Sequence, residues 1–411
     1  MNAVKPWARV PLSDAFWFQE GPGVRNWQFT TSGIKLLNVA NIEKGGTLNL
    51  AKTDRHLGEE EVEKKYSHFL IDAGDLVIAS SGISFDDDGL LRTRGAFVES
   101  SDLPLCMNTS TIRFKATSKS DLRYLRFWLD SRDFRSQITK LVTGSAQQNF
   151  GPTHLKATTI NLPPLAEQKR IARILDAADA LRAKRREALA QLDALLQSTF
   201  LTLFGDPVTN PMGWEISTVG KFAAVQGGLQ VTAARKSCPV EVPYLRVANV
   251  YRGFLSLNEI KTIRATEAEI QRTLLNMHDL LIVEGHGNAE EIGRGALWDG
   301  SIKKCVHQNH IIRVRFDKDK ILPVYGCEYI NSPGGRRHLL RAGKTTSGLN
   351  TISVSEVRAT PVALPPLPLQ QKFARIVESV ERQKAAQRAH LAELDALFAS
   401  LQHRAFRGEL Q

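Results

Sequence analysis

The sequence predicts an α+β protein in which two tandem α/β units are separated by two long helices packed as an antiparallel coiled coil. Two observations predict this. A 43-residue block occurs twice without a gap, at 162–204 and 364–406, with 18 identities that include Arg173/Arg375, Asp193/Asp395 and Leu195/Leu397. Each copy closes a much longer stretch whose own short motifs also recur, more faintly. Internal duplication of this kind fixes an architecture before any element is assigned. The predicted boundaries are 1–163 for the first unit, 164–206 for the first helix, 207–363 for the second unit and 364–411 for the second helix.

Within the units, Trp7-Ala-Arg-Val-Pro-Leu reads as an opening strand with Trp214-Glu-Ile-Ser-Thr-Val as its counterpart. Leu37-Asn-Val-Ala-Asn-Ile matches Leu245-Arg-Val-Ala-Asn-Val, and Gly74-Asp-Leu-Val-Ile matches His278-Asp-Leu-Leu-Ile. Gly95-Ala then matches Gly295-Ala, and Thr111-Ile-Arg-Phe matches Ile311-Ile-Arg-Val. These are short β-rich runs punctuated by Gly, Asn and Asp, with helical stretches near 121–138 and 324–340. Between the shared strands the sequences diverge. A common framework carrying different loops suits two versions of one kind of target.

The repeated blocks read as helices because Leu165–Phe204 and Leu369–Arg407 contain neither Gly nor Pro. Apolar residues recur in steps of three and four: Ile171, Ile174, Ala178, Leu181, Leu192 and Leu195, and then Phe373, Ile376, Val380, Leu394, Leu397 and Leu401. Proline pairs at 163–164 and 365–366 precede each helix, and Gly205 and Gly408 follow. About 40 residues at 1.5 Å each make a rod of roughly 60 Å. Two such rods bury their seams most simply against each other as an antiparallel pair. Lys184/Arg185 and Gln383/Gln387 interrupt the seam and are candidates for setting register.

The 411 residues carry a net charge of +11, and each of the four segments is net positive, which suits a polyanionic partner. No uncharged apolar run approaches membrane-spanning length, so no membrane is expected. The start MNAVKPWARVPL has no secretory pattern, and Cys106, Cys238, Cys305 and Cys327 show no paired spacing. A cytoplasmic chain with reduced thiols is the expectation. No Cys/His set has zinc spacing, and no nucleophile elbow or dinucleotide fingerprint occurs, so neither a metal nor a catalytic residue is assigned.

Together, the two LPPL-x-x-Q-x-x-x-A-R-I blocks, the stretch Thr143-Gly-Ser-Ala-Gln-Gln-Asn149, and the endings Phe204-Gly-Asp-Pro and Phe406-Arg-Gly-Glu-Leu carry a resemblance. The chain resembles the specificity (S) subunit of type I restriction–modification systems. It departs from the pattern at Thr345–Asn350, and at Asn38, where Arg246 holds the more usual residue. The resemblance implies two target recognition domains, each reading half of a split duplex DNA sequence around an unread spacer. It implies that the paired helices dock two modification (M) subunits, with restriction (R) subunits joining that core. The chain itself would be non-catalytic and without cofactor, with S-adenosylmethionine, ATP and Mg on the partners. Base reading calls for Arg toward guanine and Asn or Gln toward adenine. Candidates in the divergent loops are Arg92, Arg94, Asn108, Gln147, Gln148 and Asn149 in the first unit. In the second they are Arg294, His307, Gln308, Asn309, Lys344 and Asn350. The competing readings are a coiled-coil scaffold without sequence-specific readout and a solitary enzyme.

Overall fold

A computed structural model of the chain describes residues 7–86, 88–142, 149–346 and 349–410. Contacts divide it into two units, Met1–Arg186 with Ala389–Gln411, and Glu187–Arg388. The division falls inside both long helices, Leu165–Phe204 and Leu367–Arg407. Each unit thus holds one half of each helix, running antiparallel, together with its own sheet.

The first unit is built on an antiparallel sheet with strand order Phe16–Glu20, Thr111–Ala116, Leu76–Ala79, Gly95–Phe97. The second repeats it as Ala223–Gly227, Ile311–Phe316, Leu280–Val283, Gly295–Leu297. Leu76–Ala79 and Leu280–Val283 are buried at every position. Both faces are covered, and the period of two sorts the side chains. Leu76 and Ile78 join Trp128 and Phe134, on helices Leu122–Leu129 and Arg132–Leu141, in one core. Val77 and Ala79 join Leu37, Ile42 and Leu105 in another. Leu280/Ile282 and Leu281/Val283 divide in the same way between two cores of the second unit. The predicted helical stretches are present as helix pairs in both units, Pro323–Asn331 and Pro333–Ala342 being the second.

The long helices carry a strict seven-residue stripe. In the first it runs 171, 175, 178, 182, 185, 189, 192, 196, 199, 203; in the second, 373, 377, 380, 384, 387, 391, 394, 398, 401, 405. All twenty positions are buried or half-buried. Of the residues expected in the seam, Ile171, Ala178, Leu192, Phe373, Val380, Leu394 and Leu401 lie on this stripe, with Ile174 and Ile376 half-buried beside it. Leu181, Leu195 and Leu397 do not, being 52%, 48% and 50% exposed. The stripe passes through Arg182 and Leu196 instead, one residue further on. A charged residue at a seam position hid the register from a reading based on apolar spacing.

Those charged seam residues are matched ion-pair clamps. In the first unit Arg182 bridges Asp179 on its own helix (2.7 Å) and Asp395 on the other (2.6 Å), with Phe398 beneath its guanidinium. In the second, Lys384 bridges Glu381 (2.6 Å) and Asp193 (2.7 Å). Of the interruptions expected to set register, Arg185 and Gln387 lie on the stripe, whereas Lys184 and Gln383 are exposed.

The repeated glutamine of the LPPL block has a plain role. Gln168 is fully buried; its amide donates to Lys119 O and Pro163 O and its oxygen accepts from Asp121 N. Gln370 donates to Lys320 O and Pro365 O and accepts from Leu322 N. Each pins the start of a long helix to the domain beside it. Gly205 and Gly408 end the helices, both with φ +77°, a conformation in which a Cβ is strained.

Candidate nucleic-acid interface

In each unit three chain segments meet at the end of the central strand. In the first unit Ser80 N donates to Ser110 O (3.0 Å) and Ser80 O accepts from Phe150 N (3.0 Å). In the second, Glu284 N donates to His310 O (2.9 Å) and Glu284 O accepts from Ile352 N (2.9 Å). A neighbouring crossing is equally conserved in geometry between the units. A Cβ on Gly21 would lie 2.4 Å from Asn108 O, and one on Gly228 2.2 Å from Gln308 O. Only glycine lets those backbones pass. The loops that leave this node hold most of the candidate reading residues.

The structure sorts the first unit's candidates. Arg92 is exposed on a two-stranded ribbon, Ser84–Phe85 with Leu91–Arg92. Asn149 is exposed next to the node. Arg94 is half-buried and donates to Ile42 O, so it braces the turn Val39–Asn41. Asn108 is buried, donating to Asn38 Oδ1 and accepting from Ser110 N. Asn38, the departure from the usual arginine, is thus part of an internal amide network. Gln147 and Gln148, with the rest of 143–148, lie outside the described residues.

In the second unit two candidates are withdrawn by burial. Arg294 is 6% exposed, ion-paired to Glu291 at 2.6 Å, bonded to Val247 O and stacked on Tyr251. It occupies the place of Arg94 and braces the equivalent turn, Val247–Asn249. His307 is fully buried with Nδ1 at 2.9 Å from Ile311 O, and burial pushes its pKa down to about 4. Both carry the donor chemistry that base reading calls for, but both are buried and bonded within the fold. Gln308 and Asn309 are half-buried, their backbone N–H groups bonded to Leu245 O and Leu229 O. Asn350 reaches Gly287 O at 3.3 Å, on the strand Leu349–Thr351 that pairs with Gly285–His286. Lys344 lies on the strand Lys344–Thr346, and its side chain is outside the described set.

The sequence reading missed Ser80, Ser110, Glu284 and His310 at the node. Glu284 and His310 lie 3.9 Å apart, with side chains 26% and 46% exposed. Burial raises the Glu284 pKa to about 7. The available signal was a charged residue directly after the buried strand Leu280–Val283, where the first unit has Ser80. Among the described residues no group of three or more His, Cys, Asp or Glu is placed to hold a metal ion. Burial pushes the Cys106 and Cys305 thiols up to about 11 and about 12, which keeps them protonated and unreactive. Among the same residues no helix is long and apolar enough to cross a membrane.

Comparison with known proteins agrees with this organisation. Residues 29–191 match the family model of the type I restriction modification DNA specificity domain. The StySPI specificity subunit of Salmonella potsdam is 24% identical over 429 residues, covering 98% of this chain and 89% of its own length. The chain is thus similar to type I specificity subunits over nearly its whole length, and the family model covers most of its first unit and runs into the first long helix. The EcoKI specificity subunit of Escherichia coli K12 is 29% identical over 310 residues, which are 70% of this chain. The match spans 65% of the EcoKI subunit's own length, just under two thirds. The fold is shared with the crystallised type I S subunit of M. genitalium, at TM-score 0.52 and 15% identity, covering 99% of this chain and 97% of that one. A chain from a study of complex assembly in the type I R-M system gives 0.54 at 17% identity, covering 98% of both chains. These relatives give no support to the scaffold or solitary-enzyme readings.

Proposed function

We propose that this chain is the non-catalytic DNA reader of a type I restriction–modification complex. Each unit reads one half of a bipartite duplex target, and bases between the halves go unread. One observation carries this reading: the two units share a backbone node, down to its individual hydrogen bonds, while the side chains on it differ completely. Lys and Arg on both units grip phosphates and fix register; side chains at base edges select sequence. Arg92 and Asn149 in the first unit, and Gln308, Asn309, Lys344 and Asn350 in the second, remain the candidates for those roles. The paired helices dock two modification subunits, which use S-adenosylmethionine, and restriction subunits that use ATP and Mg join them. Leu181, Leu195 and Leu397, apolar and half-exposed on the helices, are suited to that docking.

Selection from a random duplex library, with the full chain and its co-expressed modification subunits, tests the reading. Two short preferred blocks separated by a fixed unselected spacer are expected, with binding that weakens steeply as salt rises. One helical turn inserted after Lys184 is expected to change the spacer and leave both blocks intact. Enrichment of no sequence, or of one continuous block, contradicts the proposal.

A further inference from the structure

The pair at the second unit's node is costly to the fold as it stands. Glu284 is three-quarters covered, and His310 faces it at 3.9 Å, too far for a direct hydrogen bond. A carboxyl in that setting loses solvation without full compensation. The position is fixed from both sides, since Glu284 N and O are held by His310 O and Ile352 N. Gly285 follows it, where a Cβ would lie 3.2 Å from Thr351 and 3.6 Å from His310 Nδ1. The carboxyl is thus held on a rigid backbone at the mouth of the loops that carry Asn350 and His286.

The first unit supplies the control. The same backbone bonds there carry Ser80 and Ser110, whose hydroxyls turn inward: Ser80 Oγ donates to Thr109 O and Ser110 Oγ accepts from Val39 N. The node therefore needs neither an acid nor an imidazole in order to fold. An acid on a surface meant for a polyanion also weakens binding to every sequence, so its return lies in discrimination. A carboxylate in the major groove accepts a hydrogen bond from the exocyclic amine of cytosine, and an imidazole beside it can donate or accept one.

We propose that Glu284 and His310 are a base-reading pair of the second unit, accepting the exocyclic amine of a cytosine or adenine in the half-site that unit reads. This rests on the reading of each unit as a DNA reader.

The test is library selection with the full chain and its modification subunits, comparing wild type with Glu284→Gln and with the double variant Glu284→Ser/His310→Ser. The double variant installs the pair that the first unit already carries on this backbone. Both are expected to lose preference at one base of the second unit's half-site, on the order of 10- to 100-fold. The other half-site stays unchanged, and affinity for unrelated duplex rises. Should Glu284→Gln not fold, the double variant decides alone. If every base preference in both half-sites survives, the inference is overturned. Replacing residues 207–363 with the corresponding unit of a type I specificity subunit separates the two claims. If that replacement alters one half-site while the node variants alter none, only this inference fails. If it alters neither, the reading of the units fails first.

Discussion

At the foot of each long helix the two halves of the chain agree bond for bond; at the rim of each sheet they share a backbone and little else. Gln168 and Gln370 make the same three hydrogen bonds to equivalent partners. Ser80/Ser110 and Glu284/His310 occupy one node with unrelated chemistry. The contrast teaches that the duplication has been held where geometry must be common and released where, on the proposed function, two targets differ. It also supplies, inside one molecule, the comparison that separates framework residues from readers.

The strongest way to break that contrast is at the shared crossing. Gly21→Ala and Gly228→Ala place a Cβ against main chain that cannot swing aside. Each is expected to cost about 3 kcal/mol, read by chemical denaturation. A loss near zero at either glycine means the node is not rigid. Next come the staples. Gln168→Ala and Gln370→Ala each strand buried backbone groups, and each is expected to cost about 2 kcal/mol. The two losses should agree closely, because the surroundings agree. A large loss in one copy only contradicts the equivalence.

The pH response sharpens the comparison further, since the second unit alone holds both perturbed groups. His307 titrates near 4 when folded against its usual 6.5, so the unfolded chain binds a proton the folded one refuses. Its contribution to stability is lost as pH falls from 6.5 toward 4. Glu284 titrates near 7 against its usual 4.5, so the folded chain keeps a proton the unfolded one has released. Its contribution is full below 4.5 and is lost as pH rises through 7. The two slopes oppose each other between pH 4.5 and 6.5. Relative to wild type, Glu284→Gln is expected to lose about 2 kcal/mol more on acidification across that window, and His307→Asn about as much less. Parallel pH profiles for all three chains contradict this.

Smaller effects are expected on the helices. Arg182→Ala and Lys384→Ala each break a clamp whose acidic partners are half-exposed or more, and about 1 kcal/mol each is expected. The charge-swapped pair Arg182→Asp/Asp395→Arg should recover part of the loss. Least of all, Leu195→Ala and Leu397→Ala are expected to change stability by under about 0.5 kcal/mol, since both side chains are about half exposed. The same variants should weaken capture of the modification subunits in a pull-down. Unchanged capture removes these leucines from the docking face.

Much of the fold was legible because duplication lets each motif vouch for its partner: the strands at Leu76 and Leu280, the helix pairs, and both long helices stand where the paired motifs placed them. The seam was legible only where it is apolar. At Arg182 the heptad is occupied by charge and apolar spacing points to Leu181 instead, while at 195/196 and 397/398 two adjacent apolar residues leave the choice open to spacing alone. Among the candidate readers, residue type alone could not tell a donor aimed at solvent from one spent on a carbonyl. Arg294 and His307 were misplaced for that reason. Residue type favours Arg, Asn and Gln as base readers and so does not single out Glu284, although a charged residue closing a wholly apolar strand marks a rim.

The central claim is that the two units read independently on a shared frame. It is tested most directly by exchanging residues 207–363 for the corresponding unit of a type I specificity subunit and mapping the selected DNA sequence. The account predicts that one half-site is replaced while the other, and the helix-borne spacer, persist. Simultaneous change in both half-sites, or in neither, contradicts it.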